Sequence, residues 1–463
     1  MDSEGSMILQ VVKSKQGENR DFFREMMKIT LPVTFQCLFQ SLLSVIDQIM
    51  SGQLGSTSIA GIGLGGKFAS LATVTISAVV TEAAILIAQY HGAKNEKQEN
   101  ASFFLNMYIS MLIAALFCAL SIFLPGQIMS LYSRDAATIV ASADYLRIIG
   151  VGFVPMAVTL MISAYLRSIG YARYPMYTSV LAVISNTALN YVLIFGKLGF
   201  PEMGLKGAAL ATTIARAGEM LIISVCLLSI RKKEGRHLYF RVRPDKEFLK
   251  KISMVLLPIL ACEFLWSLGE NGYAVIYGRI GTEACAAITL TYPVQTLMIG
   301  AFSGIAAAAG IMIGKRLGGG KYQEAYEKSK VFAAVSLLGT ILLSLFLILF
   351  GKYYVRLFDV SESVRQMTMS ILYIYAFLAP VKVLNMVFGG GVLRSGGNTR
   401  YTLFIDIIGT WVFGLPLGIL AAFVFGFPIH WVYLFLSLEE VVRLILSVVV
   451  FRKRKWMRNI TEE

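Results

Sequence analysis

The chain of 463 residues has few charged side chains. Asp, Glu, Lys and Arg together make up 15% of it, whereas soluble domains carry about a quarter. Apolar residues make up 56%, and the mean hydropathy is +0.67. This composition does not fit a soluble globular protein and favours a chain that crosses a membrane many times. The first thirty residues are polar, so no cleavable signal peptide is visible and the first apolar helix is expected to be retained.

The residue clusters on which enzymes and metalloproteins depend are also missing. All five cysteines lie inside apolar runs without C-x-x-C spacing, and the three histidines are scattered. We therefore predict buried cysteines, no metal site and no disulfide. No phosphate-binding loop of the form G-x-x-x-x-G-K-[ST] occurs, which argues against nucleotide hydrolysis. An enzyme is the least favoured class of protein, because no nucleophile–base constellation stands out.

The chain contains an internal repeat. Residues 166–174 and residues 393–401 share six of nine amino acids at an offset of 227. An offset of 226 pairs Leu31-Pro32 with Leu257-Pro258 and continues without a gap to Gly92 and Gly318. Two similar halves in a membrane protein indicate a carrier with a central site between the halves.

Twelve apolar stretches reach the length of about 20 residues that a helix needs to cross the hydrocarbon core. The predicted fold is an all-α integral membrane protein with two six-helix lobes. Six crossings in each half send both halves into the membrane in the same direction, so their pseudo-two-fold axis runs along the membrane normal. The predicted spans are 29–51, 60–90, 103–125, 141–165, 176–196, 206–230, 255–278, 285–313, 331–350, 368–392, 402–424 and 429–450.

Lysine and arginine indicate the orientation. If the N-terminus is cytoplasmic, the cytoplasmic segments hold 30 of the 42 basic residues, a clear positive-inside bias. Both termini are then cytoplasmic, and contact with anionic lipid explains the net charge of +14 without nucleic acid. The predicted domains are a cytoplasmic N-terminal segment (1–28), an N-terminal lobe (29–230), a cytoplasmic linker (231–251), a C-terminal lobe (252–450) and a basic cytoplasmic tail (451–463).

Four motifs resemble a known family in their order and spacing. They are residues 45–55 in the first helix, 88–93 at the end of the second, 204–212 at the start of the sixth, and the two Leu-Arg-Ser-x-Gly stretches. Together they resemble the MATE (multidrug and toxic compound extrusion) transporters, especially the bacterial, DinF-like side of the family, over roughly residues 25–450. The resemblance implies a monomeric antiporter of the cell inner membrane. It would export organic cations or other amphipathic drugs in exchange for protons or sodium ions by alternating access, without a cofactor.

Asp47 is the leading candidate for a coupling residue. A charge in hydrocarbon costs at least about 2.5–3.5 kcal/mol, so an ionisable residue inside a predicted span indicates a function. Asp47 could bind a proton or a sodium ion or attract a cationic drug; the alternative is an aspartate at the outer interface. Asn186 and Asn190 lie one turn apart on the fifth predicted helix and share a face. The resemblance implies that they complete a cation-coupling site with Asp47, with Thr212 as a further oxygen ligand. Relatives often carry Asp at the position of Asn190, so this chain has one carboxylate fewer. The alternative for these polar residues is hydrogen bonding between helices.

Four more acidic residues are candidates for the substrate cavity. Glu82, in the middle of the second helix, could share the N-terminal cavity or bond a neighbouring Ser or Thr. Glu263 and Glu270 lie two turns apart near one face of the seventh helix, where the resemblance implies one functional glutamate without deciding between them. Asp406 is expected to form a structural ion pair with Lys382 inside the C-terminal lobe; contact with the drug is the alternative.

The other ionisable residues near the spans are assigned structural roles. Glu440 and Arg443 can pair at i, i+3 on the twelfth helix. Arg167 and Arg394 are equivalent in the two repeats. They are expected to hold helix ends at cytoplasmic loops and to contact lipid phosphates.

Two other functions are open. A flippase for a polyprenyl-linked or other lipid shares this build, but such proteins usually need basic residues in the early helices, where this chain has Asp47 and Glu82. An ion channel or receptor fits the two six-helix halves poorly, and no segment resembles a selectivity filter. We therefore expect small organic cations as substrates, with the bilayer as the environment and no nucleic-acid partner.

Overall fold

The computed structural model describes residues 2–54, 56–235, 246–358 and 360–462, and these residues form helices and short connections without a β-strand. The helices of the first half are α1 (Asp2–Ser51), α2 (Ser56–Gly92), α3 (Glu96–Phe123), α4 (Pro125–Ser130), α5 (Ala136–Val151), α6 (Phe153–Ser168), α7 (Arg173–Phe195) and α8 (Gly204–Glu234). Those of the second half are α9 (Lys246–Ile280), α10 (Thr282–Gly318), α11 (Tyr322–Arg356), α12 (Glu362–Asn385), α13 (Arg400–Asp406), α14 (Leu415–Ile419) and α15 (Ile429–Arg452).

These helices form twelve membrane-crossing units, which confirms the predicted fold. In the described part of the chain, nine units are long and apolar enough to cross a membrane unaided, and α5 with α6 makes a tenth. The units α1 and α15 complete the set. The apolar character of α15 is diluted by Glu439, Glu440 and Arg443, all three of which are buried inside the protein.

The fourth predicted span, 141–165, is broken. It consists of α5 and α6, which meet at Gly152 with a bend of 43°. Pro155, in the first turn of α6, has no N–H with which to bond the carbonyl of Val151, so a continuous helix would lose that hydrogen bond. The break and the change of direction therefore follow from the proline.

The tenth and eleventh membrane-crossing units contain wide π-helical turns that the sequence analysis did not predict. These turns cover Met386–Leu393, Ile407–Gly414 and Leu420–Val424. A run of three glycines, Gly389 to Gly391, lies in the first of them. Such turns are frequent at functional sites, and the first one lines the cavity described below.

The predicted domain boundaries fall partly within helices. Helix α1 passes residue 28 without a break. The linker predicted at 231–251 is helical at both ends, because α8 continues to Glu234 and α9 begins at Lys246. The linker residues 236–245 lie outside the described residues.

The two lobes meet at the face of the protein where α2, α10 and α15 end, which we call the basic face. A Cβ atom on Gly92 would lie 1.9 Å from the carbonyl oxygen of Lys315, and one on Gly318 would lie 1.9 Å from that of Gln89. Both pairs are related by the offset of 226, so this contact between the lobes is itself two-fold symmetric. The tail after α15 covers it, since the Ile460 N–H donates to Gln89 Oε1 at 2.8 Å.

Candidate functional site

The structure brings together the four residues predicted for cation coupling. Asp47 on α1 faces α7, where the side-chain amide of Asn190 donates to Asp47 Oδ1 at 2.7 Å. The same amide lies 3.2 Å from Asn186 Oδ1, and the Asn186 amide donates to Thr212 Oγ1 on α8 at 3.3 Å. A chain of four polar side chains thus joins three closely packed helices.

This polar chain contains an oxygen atom that is available to bind a cation. Asn186 and Asn190 are buried, and Asn190 Oδ1 has no hydrogen-bond partner among the described residues. A buried carbonyl oxygen without a donor costs free energy unless a water molecule or a cation satisfies it. The carboxylate of Asp47 with this oxygen could hold a small monovalent cation, and the carboxylate alone could hold a proton.

The C-terminal lobe contains a cavity of about 290 Å³ that lies between α9, α12, α13 and α15. Three acidic and three basic side chains line it, together with the aromatic rings of Trp266 and Tyr375. Its charged residues are Glu263, Lys382, Arg394, Asp406, Glu440 and Arg443.

Each charge in this cavity has a partner of opposite sign, and the closest contacts differ from the predicted pairs. Lys382 Nζ lies 3.8 Å from Glu440 rather than beside Asp406, and Arg443 Nη2 lies 3.4 Å from Asp406 rather than on its helical neighbour Glu440. Arg443 also donates to Thr410 at 2.6 Å. The long Arg443 side chain therefore reaches a neighbouring helix, whereas the i, i+3 rule considers only partners on α15.

Arg394 lies inside the lobe, which corrects its assignment to a loop at the lipid surface. The helix that contains the first π-helical turn continues through residue 395, so residue 394 faces the cavity instead of the membrane surface. Arg394 Nη1 lies 3.0 Å from Glu263 Oε1, and Nη2 donates to Cys262 Sγ at 3.2 Å. The equivalent Arg167 is partly buried beside Cys37, which does not fit contact with lipid phosphates either.

Both candidate glutamates of α9 line cavities. Glu263 lines the large cavity, and Glu270 lines a neighbouring cavity of about 60 Å³ that is rich in tyrosine. The two cavities share Tyr375, Lys382 and Glu440. The choice between the two glutamates therefore has no single answer.

Tyr273 and Glu439 form a buried pair that was not predicted from the sequence, and the tyrosine hydroxyl donates to the carboxylate. The internal repeat contained a signal for it. Tyr273 occupies the position of Asp47 at the offset of 226, and Glu439 occupies that of Thr212 at 227. In the N-terminal lobe the acid is at the first position (Asp47) and the hydroxyl at the second (Thr212). In the C-terminal lobe the hydroxyl is at the first position (Tyr273) and the acid at the second (Glu439).

The place of Glu82 in an N-terminal cavity stays a prediction. The residue is completely buried in α2, which packs against α3 and α6, and it lines neither C-terminal cavity. The Asp47 network lies on α1, α7 and α8 instead. No group of three or more His, Cys, Asp or Glu side chains in the described segments could hold a metal ion.

The ion pair between Arg394 and Glu263 should contribute measurably to stability. Arg394→Met leaves the Glu263 carboxylate, which is 29% exposed, without its partner, and this is expected to cost about 1–3 kcal/mol. Thermal unfolding of the purified protein should show a clear loss, and adding Glu263→Gln should restore much of it. Arg400→Met removes an exposed basic residue six positions away and should have little effect. Equal losses in the two single variants would contradict this assignment.

A bundle of twelve membrane-crossing helices in two repeated lobes, with buried ionisable groups and an internal cavity, is typical of a membrane transporter. The family model named MatE matches residues 32–192 and 258–420, which include most of both lobes. The chain belongs to this family, which confirms the resemblance seen in the sequence, and it is a transporter and not an enzyme.

Similar proteins cover almost the whole chain. The Uncharacterized transporter YisQ of Bacillus subtilis (strain 168) is 24% identical over 93% of this chain and 94% of its own length. A Probable multidrug resistance protein NorM of Thermotoga maritima is 26% identical over 94% of this chain and 93% of its own.

Solved structures share the fold. A MATE protein in complex with MaL6 superposes with a TM-score of 0.86 at 19% identity, over 93% of this chain and 95% of that one. A MOP superfamily transporter from Pyrococcus furiosus, for which reversed polarity of the binding pocket suggests a different function, gives 0.84 at 19% identity over the same shares.

Proposed function

We propose that this protein is a secondary antiporter. It would export organic cations or other amphipathic drugs in exchange for protons or sodium ions by alternating access. The observation that carries the proposal is the network of Asp47, Asn190, Asn186 and Thr212. It places one carboxylate and an unpartnered oxygen inside the N-terminal lobe, where a coupling ion can bind without meeting the substrate directly.

The large cavity of the C-terminal lobe is the proposed substrate site. Trp266, which is 46% exposed, offers a flat face on which an organic cation can stack, and Tyr375 lines the same cavity. The name of the Thermotoga relative, a multidrug resistance protein, supports substrates of this kind. Binding of the coupling ion at Asp47 would favour one arrangement of the lobes, and binding of the drug would favour the other.

We also propose where the protein lies in the cell and where its two lobes begin and end. The protein would lie in the inner membrane as a monomer with the basic face in the cytoplasm, as the distribution of lysine and arginine indicates. The lobes would be residues 29–230 and 252–450, with the N-terminal segment, the linker and the tail on the cytoplasmic side.

A lipid flippase is the second candidate. Lys382, Arg394 and Arg443 line the large cavity and could bind a lipid phosphate. However, each of them already lies near a carboxylate. A cavity with three acids and three bases offers no net positive charge to a pyrophosphate, so the observation favours the antiporter.

Transport in proteoliposomes tests the proposal. The flux of a fluorescent organic cation is measured under an imposed proton gradient and, separately, under an imposed sodium gradient. We expect one gradient to drive saturable flux and an ionophore that dissipates it to stop that flux. Protein-free liposomes are the control. If neither gradient drives flux, and the same folded protein instead moves a labelled phospholipid between leaflets, the antiporter is wrong and the flippase is supported.

A further inference from the structure

Glu82 is a carboxylic acid inside the membrane that has no ion-pair partner among the described residues. Its exposed fraction is 0%, and neither carboxylate oxygen has a hydrogen-bond partner among the described residues. None of the ion pairs in these residues includes it, and the side chain of Asn106 on α3 is its polar neighbour. A charged carboxylate in such a place would cost at least about 2.5–3.5 kcal/mol, which favours the protonated, neutral acid.

A buried polar stripe runs along α3 past Glu82. Glu99, Ser102, Asn106 and Ser110 follow one another at intervals of three or four residues, so they share one face of the helix. All four are buried, and the side-chain oxygens of the last three have no partner within the described residues. Several orphaned oxygens on one buried helix face are the setting in which proteins hold internal water.

This stripe reaches the basic face. The hydroxyl of Tyr165 donates to Glu99 Oε1 at 2.9 Å, and His91 Nδ1 lies 3.0 Å from Glu99 Oε2. The imidazole of His91 is 22% exposed. A proton can therefore pass between solvent and Glu99 through the imidazole of His91.

The second lobe shows that packing does not require these polar groups. At the offset of 226, Ala308 replaces Glu82 and Phe332 replaces Asn106, and both are completely buried. The same helix contact thus forms with two apolar side chains. The packing of the helices therefore does not require Glu82 and Asn106, which indicates that they have a functional role.

We propose that Glu82 is a second proton-binding site of the N-terminal lobe, connected to the basic face by water along the stripe from Ser110 to Glu99. In each turnover the O–H bond of Glu82 breaks, and its proton moves along the stripe to Glu99 and His91 and on to solvent. A proton taken up from solvent on the opposite side of the membrane, when the lobes open to that side, restores the neutral acid. This inference rests on the proposed antiport and makes the proton its coupling ion.

The test compares two kinds of transport in proteoliposomes. Flux driven by a proton gradient requires net proton movement, whereas exchange of labelled for unlabelled drug at equal pH does not. Glu82→Gln keeps the shape but cannot release a proton, so gradient-driven flux should fall at least tenfold while exchange continues. Thr81→Val removes a neighbouring hydroxyl that bonds only within α2, and it should behave as the wild type.

A second measurement is independent of transport. The infrared spectrum of the wild type should contain the band of a protonated carboxyl that Glu82→Gln lacks. The double variant Glu82→Ala/Asn106→Phe, which copies the packing of the other lobe, should fold and give the same two results as Glu82→Gln.

Three outcomes would overturn the inference. The first is gradient-driven flux at the wild-type rate in Glu82→Gln, and the second is a carboxyl band that persists in that variant. The third is loss of exchange in both Glu82 variants, which would assign Glu82 a structural role. Wild-type flux driven by sodium and not by protons would overturn the relay while leaving the proposed antiport intact. Absence of gradient-driven flux in the wild type would instead contradict the antiport, and the infrared band would still report on Glu82.

Discussion

Asp47→Asn is expected to reduce gradient-driven transport to the level of protein-free liposomes. Asparagine has the shape of aspartate, and its carbonyl oxygen can still accept the hydrogen bond from Asn190. It cannot bind a proton or supply a negative charge for a sodium ion, however. The expected loss is therefore one of coupling rather than of folding, and drug binding to the C-terminal cavity should persist. The measurement is flux in proteoliposomes beside an equilibrium binding assay on the same preparations.

Asp144→Asn is the matched control for this prediction. Asp144 is also an aspartate of the N-terminal lobe, but its partners are Lys206 at 3.1 Å and Arg147 at 3.8 Å, and both of these are largely exposed. Surface ion pairs of this kind contribute about 0–1 kcal/mol, so transport should continue. If Asp47→Asn still responds to a gradient, coupling does not depend on the N-terminal network. The buried pair of Tyr273 and Glu439 would then be the next candidate.

The network around Asp47 was predictable because two kinds of information agreed. The spacing of Asn186 and Asn190 put them on one helix face, and the family resemblance supplied the neighbouring helices. For the ion pairs of the C-terminal lobe, only the spacing of the residues along the sequence was available. Spacing identified partners within a helix, such as Glu440 for Arg443, but the actual partner of Arg443 is Asp406 on α13. Which helices face each other, and how far a long side chain reaches, is decided by packing.

Local irregularities of the helices account for the other differences. Hydropathy and length predicted all twelve membrane-crossing units, since these signals are averaged over some twenty residues. The bend at Gly152 and the π-helical turn before Arg394 each concern a few residues. That turn decides whether Arg394 lies in a loop or in the cavity. The cavity was therefore the least predictable feature of the chain.

The internal repeat links the two lobes chemically as well as structurally. Asp47 and Thr212 in one lobe correspond to Tyr273 and Glu439 in the other, so each lobe contains one carboxyl group at one of these two positions. In the N-terminal lobe the carboxyl bonds to an amide, and in the C-terminal lobe it bonds to a phenol. The repeat thus contains two acid positions, and we propose ion coupling at the one beside the unpartnered oxygen of Asn190.

Gly318→Val is expected to abolish transport by preventing the lobes from meeting at the basic face. The Cβ of any other residue would lie 1.9 Å from the carbonyl oxygen of Gln89, far inside the contact distance, and this obstacle is backbone rather than a flexible side chain. Overpacking of this kind costs about 1–3 kcal/mol or more, which shifts an equilibrium between two arrangements about 5–150-fold. By the symmetry of the contact, Gly92→Val should have the same effect through the carbonyl of Lys315.

Spin labels at Lys94 and Lys321, which are exposed on opposite lobes near this contact, can measure the change. We expect longer distances between the labels in either valine variant, together with loss of gradient-driven flux. Gly278→Val is the matched control, because no atom lies within 4 Å of the Cβ position at this glycine of α9. Unchanged distances with normal transport in Gly318→Val would show that the close contact at the basic face is not a required state of the cycle. Separation with loss of transport would show that the lobes must come together there in each turnover, with a glycine from each lobe allowing the approach.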